Sequence, residues 1–206
     1  MSDVEDMNPN TVAIERADFP SIPANGRRWV SLVLAVTRNS PVDPALVLAI
    51  MQSESGFDPM ARSKAGACGL MQLIPRTGAR AAMVYLTGRR YHVPSTALFR
   101  PHLNILLGVA YLEWLWTRRF PSIEPELLKV LLCVAAYNAG PARIRRWLAD
   151  LGSVKRTALG TQPLNMGTLV ATLSTALPYA ETRRFVTTVA RHWQHYGIYL
   201  GYMPES

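Results

Sequence analysis

The stretch that decides the fold reads DPALVLAIMQSESGFDPMARSKAGACGLMQLIP and covers residues 43–75. Asp43, followed directly by proline, has the pattern of a helix N-cap with proline at the first helical position. Apolar residues then recur with helical spacing, so the sequence predicts a helix over residues 43–55 that ends near Gly56. The following residues, 56–78, are rich in glycine, alanine, serine and proline, which predicts a loop or short strand.

Glu54 is the unusual residue of this predicted helix. It lies four residues after Ile50 and seven after Val47, inside the apolar stripe and in the last turn, at the negative end of the helix dipole. Desolvation and the dipole both disfavour a carboxylate and raise its pKa. A carboxylic acid that stays protonated near neutral pH is what a general acid requires. Periodicity alone also allows a plainer interpretation, a glutamate at a helix end that reaches solvent or an arginine.

Outward from this stretch, nearly every apolar segment has helical spacing, and no segment alternates convincingly with the period of a strand. The predicted helices cover residues 29–36, 43–55, 76–86, 104–118, 126–137, 141–148 and 179–196. This pattern predicts an all-α, mainly helical fold. Residues 1–26 are polar, acidic and punctuated by proline, which predicts an extended lead-in, and residues 152–167 predict a surface excursion. The expected domain covers residues 27–200, and a tail covers residues 201–206.

Composition sets outer limits on function. The 206 residues, of which 49% are hydrophobic and 17% charged, suit one ordinary domain and exclude a disordered chain. The longest apolar runs are about eight residues, whereas a membrane-spanning helix needs ~20. The net charge is +8; residues 1–20 are acidic, but residues 41–200 carry 18 basic and eight acidic side chains. This balance fits nucleic acid, anionic lipid, an acidic cell-wall polymer or a merely solvated surface, and charge does not choose among them.

Other chemistry-bearing residues give weaker signals. Cys68 and Cys133 do not make a disulfide framework, and we favour two small buried apolar residues over one bridge. His192 and His195 are three residues apart, but no further cluster supports them, so we expect no metal site and no cofactor. Glu181 lies in the first turn of the last predicted helix, where the dipole already favours negative charge. The sequence contains no phosphate-binding glycine motif, no Ser-His-Asp context and no nucleic-acid motif beyond basicity.

Four blocks of the sequence, taken together, resemble the signature of the soluble-lytic-transglycosylase (SLT) domain family. They keep the family's order and spacing from about residue 42 to 190, and they are MQSESGFDP (51–59) with Ala61 and Ser63, GLMQLIP (69–75), AYNAG (136–140) and ETRRFV (181–186). The stretch 94–112 is similar to the membrane-bound lytic murein transglycosylase C branch of that family. The resemblance covers roughly three-quarters of the chain.

The resemblance implies a lysozyme-like α-helical domain, with a small β-hairpin or irregular loop after the catalytic helix. It implies cleavage of the β-1,4 bond between N-acetylmuramic acid and N-acetylglucosamine in peptidoglycan, with Glu54 as the catalytic acid. By the same analogy, the residues that bind substrate in the cleft are Ser63, Met71, Gln72, Ile74, Tyr137 and Asn138. Glu181 matches a buried glutamate that helps to position the tyrosine side.

A single carboxylate suits a lytic transglycosylase. An inverting hydrolase needs a second carboxylate as base and a retaining one needs a nucleophile, whereas intramolecular attack by the muramyl C6 hydroxyl needs neither. Glu54 would serve as acid and then as base, and the product would be a 1,6-anhydro sugar. The alternatives are a lysozyme-like hydrolase, whose water-activating base we do not identify, and a non-catalytic wall-binding module.

The expected partners follow from this resemblance. They are peptidoglycan glycan strands and cell-envelope machinery, with no nucleic acid and with membrane association only through an N-terminal anchor. We expect a monomer in the periplasm or cell envelope of a bacterium. Two further sets are candidates near the cleft: arginines that could hold an acidic polymer (Arg62, Arg143 and Arg146) and tryptophans that could stack on sugars but more often belong to a core (Trp114, Trp116 and Trp147).

Overall fold

The all-α prediction is confirmed by a computed structural model, which describes residues 22–151 and 165–201. Within those ranges, β-structure is limited to two isolated bridges, Arg62 with Cys68 and Cys68 with Leu73. The α-helices are α1 (Ala24–Arg27), α2 (Val30–Thr37), α3 (Pro44–Ser55), α4 (Arg80–Thr87), α5 (Pro101–Trp114), α6 (Glu126–Ala139), α7 (Pro141–Asp150), α8 (Met166–Ala176) and α9 (Ala180–Leu200). A short π-helical turn, Pro75–Ala79, precedes α4, and a second one, Leu115–Arg119, follows α5. A 3-10 turn covers Ser95–Phe99.

Helix α3 is the centre of the fold. The Asp43 carboxylate accepts a hydrogen bond from the Ala45 backbone N–H at 2.7 Å, as the sequence predicted for an N-cap. Its other oxygen accepts from the Trp193 indole N–H at 2.6 Å, which fixes the start of α3 against α9. Seven consecutive residues of α3, Ala45 to Met51, are buried. A helix that is apolar on all sides must be surrounded, and α3 packs against both α2 and α9.

The chain already packs on the core before residue 27, within the stretch that the sequence predicted as an extended lead-in. Ile22 is fully buried, and α1 follows directly. The Asn25 amide donates to the Gly56 carbonyl at 2.7 Å, and the Trp29 indole donates to the Phe57 carbonyl at 3.3 Å. These residues cover the chain reversal at the end of α3. The part of the lead-in before residue 22 lies outside the described residues.

The loop between α3 and α4 is held from behind by one side chain. Asn104, at the start of α5, is fully buried. Its Oδ1 accepts from the Met71 N–H at 2.8 Å, and its Nδ2 donates to the carbonyls of Cys68 at 2.9 Å and Leu98 at 2.7 Å. Gly69 passes so close to this amide, with φ +76°, that a Cβ there would lie 2.4 Å from Asn104 Nδ2. The amide therefore fixes the backbone of the loop that follows the helix bearing Glu54.

Helix α8 was not predicted. Threonine, serine, alanine and glycine dominate its sequence, and this composition hid the buried pair Leu169 and Leu173, four residues apart on one face. The helix starts where the Asn165 carboxamide accepts from the Thr168 N–H at 2.9 Å. The predicted excursion at 152–167 is therefore too long at its end; residues 152–164 lie outside the described part of the chain.

Burial and helix length give two further observations. Cys68 and Cys133 are both buried and unbridged, as favoured from the sequence. No helix in the described ranges has both the length and the apolar character needed to cross a membrane.

Replacing Asn104 with alanine tests the importance of the buried amide. In the described residues, the variant leaves the Met71 N–H and the Leu98 carbonyl without partners, while the Cys68 carbonyl keeps its hydrogen bond from the Leu73 N–H. We therefore expect the free energy of unfolding to fall by about 2–4 kcal/mol. Denaturant unfolding followed by circular dichroism measures the change. Asn39→Ala, at an exposed position, is the matched control and should shift stability by less than about 0.5 kcal/mol. Equal effects of the two substitutions would contradict a supporting role for Asn104.

Candidate active site

Glu54 lies in the last turn of α3, half-buried, beside the loop that Asn104 holds. Its pKa is raised from 4.5 to about 8, mainly by burial and further by the negative charge of Glu181. The carboxyl group is therefore neutral at and below neutral pH. A neutral carboxylic acid can donate its proton to a leaving oxygen, which is the property that the apolar stripe predicted.

Tyr137, near the end of α6, lies within electrostatic reach of Glu54. Its hydroxyl donates to the Met71 carbonyl at 2.7 Å. Burial and the charge of Glu54 hold the pKa of this phenol well above its usual value of 10, so the tyrosine stays neutral and keeps donating. Its ring is 5.3 Å from the ring of Tyr111 and tilted by 57°, an arrangement that fixes the aromatic side of the site.

A second hydrogen bond joins the acid-bearing helix to the same loop. The Ser55 hydroxyl donates to the Leu70 carbonyl at 2.8 Å. Leu70 precedes Met71, whose N–H is bound by Asn104 and whose carbonyl is bound by Tyr137. Side chains of α3, α5 and α6 thus form hydrogen bonds with two consecutive loop residues, Leu70 and Met71. These bonds set the position of Glu54 relative to Tyr137.

The two polar loop residues predicted to bind substrate both shape the loop. Gln72 has a left-handed backbone, φ +46°, and its Nε2 donates to the carbonyls of Ala61 and Gly69, each at 3.0 Å. No donor in the described residues reaches the Gln72 Oε1. Ser63 accepts from the Ala67 N–H at 3.0 Å and keeps its own hydroxyl proton for another partner. Both side chains are half-buried and retain one group for a ligand.

Met71 is different from its neighbours in the motif. Its side chain is fully buried against Gly108 of α5, where a Cβ would lie 2.1 Å from the Met71 sulfur. A side chain in that position does not line a surface. Met71 therefore fixes the loop against α5 instead of contacting substrate with its side chain, the role that the resemblance implied. Ile74 remains half-buried at the end of the loop, just before the π-helical turn.

The packing of α6 on α9 brings Asn138 together with Thr182, the residue after Glu181. The Thr182 hydroxyl donates to the Asn138 Oδ1 at 2.7 Å, which orients the amide and leaves its NH₂ group without an acceptor in the described ranges. Glu181 is exposed, not buried as the resemblance implied. It acts on Glu54 through its charge, and no hydrogen bond between Glu181 and Tyr137 is formed. The first turn of α9 keeps Glu181 at the protein surface because Thr182 faces inward.

The other candidates form no hydrogen bond with Glu54 in the described part of the chain. Asp58 is exposed and accepts from the Met60 N–H at 2.8 Å within its own turn, as expected for a turn residue. Trp147 is buried, and Trp114 stacks on Tyr111 at 5.6 Å. The arginines Arg62, Arg143 and Arg146 are exposed, and Arg143 lies 4.1 Å from the centre of the Tyr179 ring. No group of three potential metal ligands occurs in the described residues.

Sequence reasoning missed the residues that support the site. Asn104, Ser55 and Thr182 are ordinary helix residues by spacing, and their partners are 33, 15 and 44 residues away in the chain. One signal was available for Asn104, since an asparagine among the apolar residues of a predicted helix must satisfy its amide when buried. Nothing comparable marked Ser55 or Thr182.

The chain is similar in sequence to known lytic transglycosylases. Residues 31–159 match the family model described as the transglycosylase SLT domain. A membrane-bound lytic murein transglycosylase C from Shigella sonnei is 32% identical over 163 residues, which cover 79% of this chain and 44% of that protein. The chain thus spans less than half the length of this relative.

Solved structures agree with the fold. The 70 kDa soluble lytic transglycosylase SLT70 from Escherichia coli matches with a TM-score of 0.65 and 27% identity, covering 84% of this chain and 25% of that one. The lytic transglycosylase Slt from Pseudomonas aeruginosa, solved as an inactive glutamate-to-glutamine mutant, matches with a TM-score of 0.64 and 30% identity over 84% of this chain and 24% of that one.

The raised pKa of Glu54 predicts a pH-dependent effect of Glu54→Gln on stability. The folded state holds a proton that the unfolded chain releases near 4.5, so the contribution of Glu54 to stability is fully present below that pH and is lost as pH rises through about 8. The neutral glutamine lacks this loss. We expect the variant to gain about 1–3 kcal/mol on the wild type between pH 5 and pH 9, after allowance for partial exposure.

Denaturant unfolding at the two pH values measures the difference. Glu126→Gln, at an exposed position on α6, is the matched control and should show no such gain. Parallel pH profiles for the wild type and Glu54→Gln would contradict a raised pKa.

Proposed function

We propose, from the premise that this chain belongs to the transglycosylase SLT domain family, that it is a peptidoglycan lytic transglycosylase with Glu54 as its one proton-transfer residue. The observation that carries the proposal is a carboxyl group with a pKa of about 8 that is coupled electrostatically to a neutral tyrosine. No second carboxylate in the described residues forms a hydrogen bond with it. The substrate bond is the β-1,4 link from N-acetylmuramic acid to N-acetylglucosamine.

In the first step, the Glu54 O–H gives its proton to the bridging glycosidic oxygen. The bond from the muramyl C1 to that oxygen breaks, N-acetylglucosamine leaves as an alcohol, and positive charge develops at C1. The departure is favoured because Glu54 is already protonated at neutral pH. The negative charge left on the carboxylate lies near the developing positive charge and stabilises it.

In the second step, the muramyl C6 hydroxyl attacks C1 and transfers its proton to the Glu54 carboxylate. The new C6–O–C1 bond closes a 1,6-anhydro ring and restores the protonated acid, so no water is consumed. The attack has the entropic advantage of an intramolecular reaction. Because Glu54 is first acid and then base, the reaction does not need the second carboxylate of a hydrolase.

The remaining polar groups suit the binding of a glycan. The unpaired NH₂ of Asn138 can donate to a sugar oxygen, and Oε1 of Gln72 can accept from a hydroxyl or an N-acetyl N–H. Ser63 offers a hydroxyl proton, and Ile74 offers apolar surface. The relatives are named as lytic transglycosylases of murein, which supports a glycan substrate for this chain and, with it, our proposal of a location in the bacterial cell envelope.

Analysis of the products tests the reaction. Purified sacculi treated with the protein should release muropeptides one water lighter than reducing-end muropeptides. Glu54→Gln should lower the rate by about 100-fold or more, whereas Glu126→Gln should retain it. Mass spectrometry distinguishes the product classes. Reducing-end products would indicate a lysozyme-like hydrolase, and a folded protein that binds sacculi without cleaving them would indicate a wall-binding module; each would contradict the proposal.

The pH profile tests the role of the two glutamates separately. Because the acid form of Glu54 is lost above a pKa of about 8, the rate should fall about tenfold per pH unit beyond that point. Glu181→Gln removes a negative charge that raises this pKa, so the alkaline limb should move to lower pH. Glu126→Gln should leave the limb in place. An unchanged limb in Glu181→Gln would contradict the electrostatic coupling of the two residues.

A further inference from the structure

A groove on the outside of α9 is lined by guanidinium and hydroxyl groups and takes no part in the site described above. It has a volume of about 420 Å³ and lies between α9 and α8. Its polar lining consists of three arginines and three hydroxyl-bearing residues, namely Arg183, Arg184, Arg191, Ser174, Thr187 and Thr188. No carboxylate from residues 22–151 or 165–201 lines it.

The positive charge of this arginine groove is uncompensated. None of its three arginines forms an ion pair with a carboxylate in the described residues. The only acidic residue of α9 is Glu181, in the first turn. The charge of Arg191 reaches its neighbour His192, whose pKa it lowers together with burial. Three like charges gathered in one concave surface repel each other, and an anion bound among them relieves that repulsion.

One of the guanidinium groups is already fixed in place. Arg183 is half-buried, and its Nη1 donates to the Leu177 carbonyl at 2.7 Å, where the chain turns from α8 into α9. The Thr187 hydroxyl in turn donates to the Arg183 carbonyl at 3.0 Å. Arg184 and Arg191 are exposed. Because the Arg183 guanidinium is already fixed, it loses less conformational entropy when an anion binds. The exposed guanidinium groups of Arg184 and Arg191 are accessible to the same anion.

The arginine groove begins next to the active site. Glu181 and Thr182 belong to the cleft, since one raises the pKa of Glu54 and the other holds Asn138. Ala180 and Arg184, within one helical turn of Glu181, line the groove. From Ala180 to Arg191 the helix rises by about 16 Å. A polymer that leaves the cleft past Glu181 therefore meets the end of the groove that Ala180 and Arg184 line.

We propose that the arginine groove binds the peptide carboxylates of peptidoglycan and so holds a peptide-bearing strand outside the catalytic cleft. This inference rests on the proposed function for the identity of the polymer. The guanidinium fork matches a carboxylate with two parallel N–H donors. The Ser174 and Thr187 hydroxyls already donate to the carbonyls of Ala171 and Arg183, so the Thr188 hydroxyl is the one that keeps a proton for the ligand in the described residues. Such a site contributes to the binding of the strand before and during reaction, so it lowers KM and leaves kcat nearly unchanged.

The test compares two double variants with equal loss of charge. Arg184→Gln with Arg191→Gln alters the groove and keeps Arg183, whose side chain supports the turn. Arg89→Gln with Arg90→Gln, at exposed positions after α4, is the matched control. Both are made in the full chain carrying Glu54→Gln, so that binding to sacculi is measured without cleavage. Circular dichroism and thermal unfolding confirm that both variants fold.

Two substrates identify the chemical group that is bound. One is sacculi freed of other wall polymers, and the second is the same material with its peptide carboxylates converted to amides. On untreated sacculi at low salt, we expect the groove variant to bind about 3- to 10-fold more weakly than its parent, and the control to bind as the parent does. On amidated sacculi the parent and the groove variant should bind alike.

Three results would overturn the proposal. They are unchanged binding by the groove variant, equal weakening by the control, and equal weakening on amidated sacculi. With Glu54 present, the groove variant should raise KM without lowering kcat, and the reverse would also overturn it. Failure of the proposed function is a separate observation, because it is the absence of anhydro products from the unaltered protein, whatever the binding results.

Discussion

The hydrogen bonds of one buried amide set the geometry on which the candidate active site depends. The Asn104 side chain forms three hydrogen bonds with the backbone, one to the Met71 N–H and two to the carbonyls of Cys68 and Leu98. A loop without regular structure has backbone groups that water would otherwise bind, and burial of such a loop requires other partners. Asn104 supplies them, and the loop then offers its Met71 carbonyl to Tyr137. The position of the tyrosine opposite Glu54 follows from this arrangement.

The burial of Glu54 shows how stability and chemistry oppose each other at this site. Its surroundings penalise the charged form, so an ionised Glu54 lowers the stability of the fold above its pKa. The same penalty keeps the proton available at neutral pH. Glu181 adds to the effect from an exposed position, because its charge raises the pKa of Glu54 further.

Helix α9 contributes residues to the core, to the cleft and to the arginine groove. Its inner face carries Phe185, Val189 and Trp193 into the core, and the Trp193 indole holds the cap of α3. Its first turn supplies Glu181 and Thr182 to the cleft. Its outer face carries the arginine groove. The helix therefore couples the position of the acid-bearing helix to the surface on which we infer that the substrate's carboxylates bind.

The sequence by itself determined the features that depend on near neighbours. The Asp43 cap, the helix that bears Glu54 and the raised pKa of that residue follow from spacing and helix polarity, which act within one or two turns. The same local reasoning failed for α8, where weak helix formers concealed two buried leucines, and for Ile22, whose burial depends on a distant partner surface.

Tertiary structure alone decided which side chains meet. The Met71 contacts come from residues 33 and 66 positions away, and the Asp43 contact with Trp193 spans 150. It also buried Met71, exposed Glu181 and gathered the arginines of α9 into a groove with α8. Such pairings depend on how helices pack against each other, and the periodicity of one segment carries no information about the segment that will cover it.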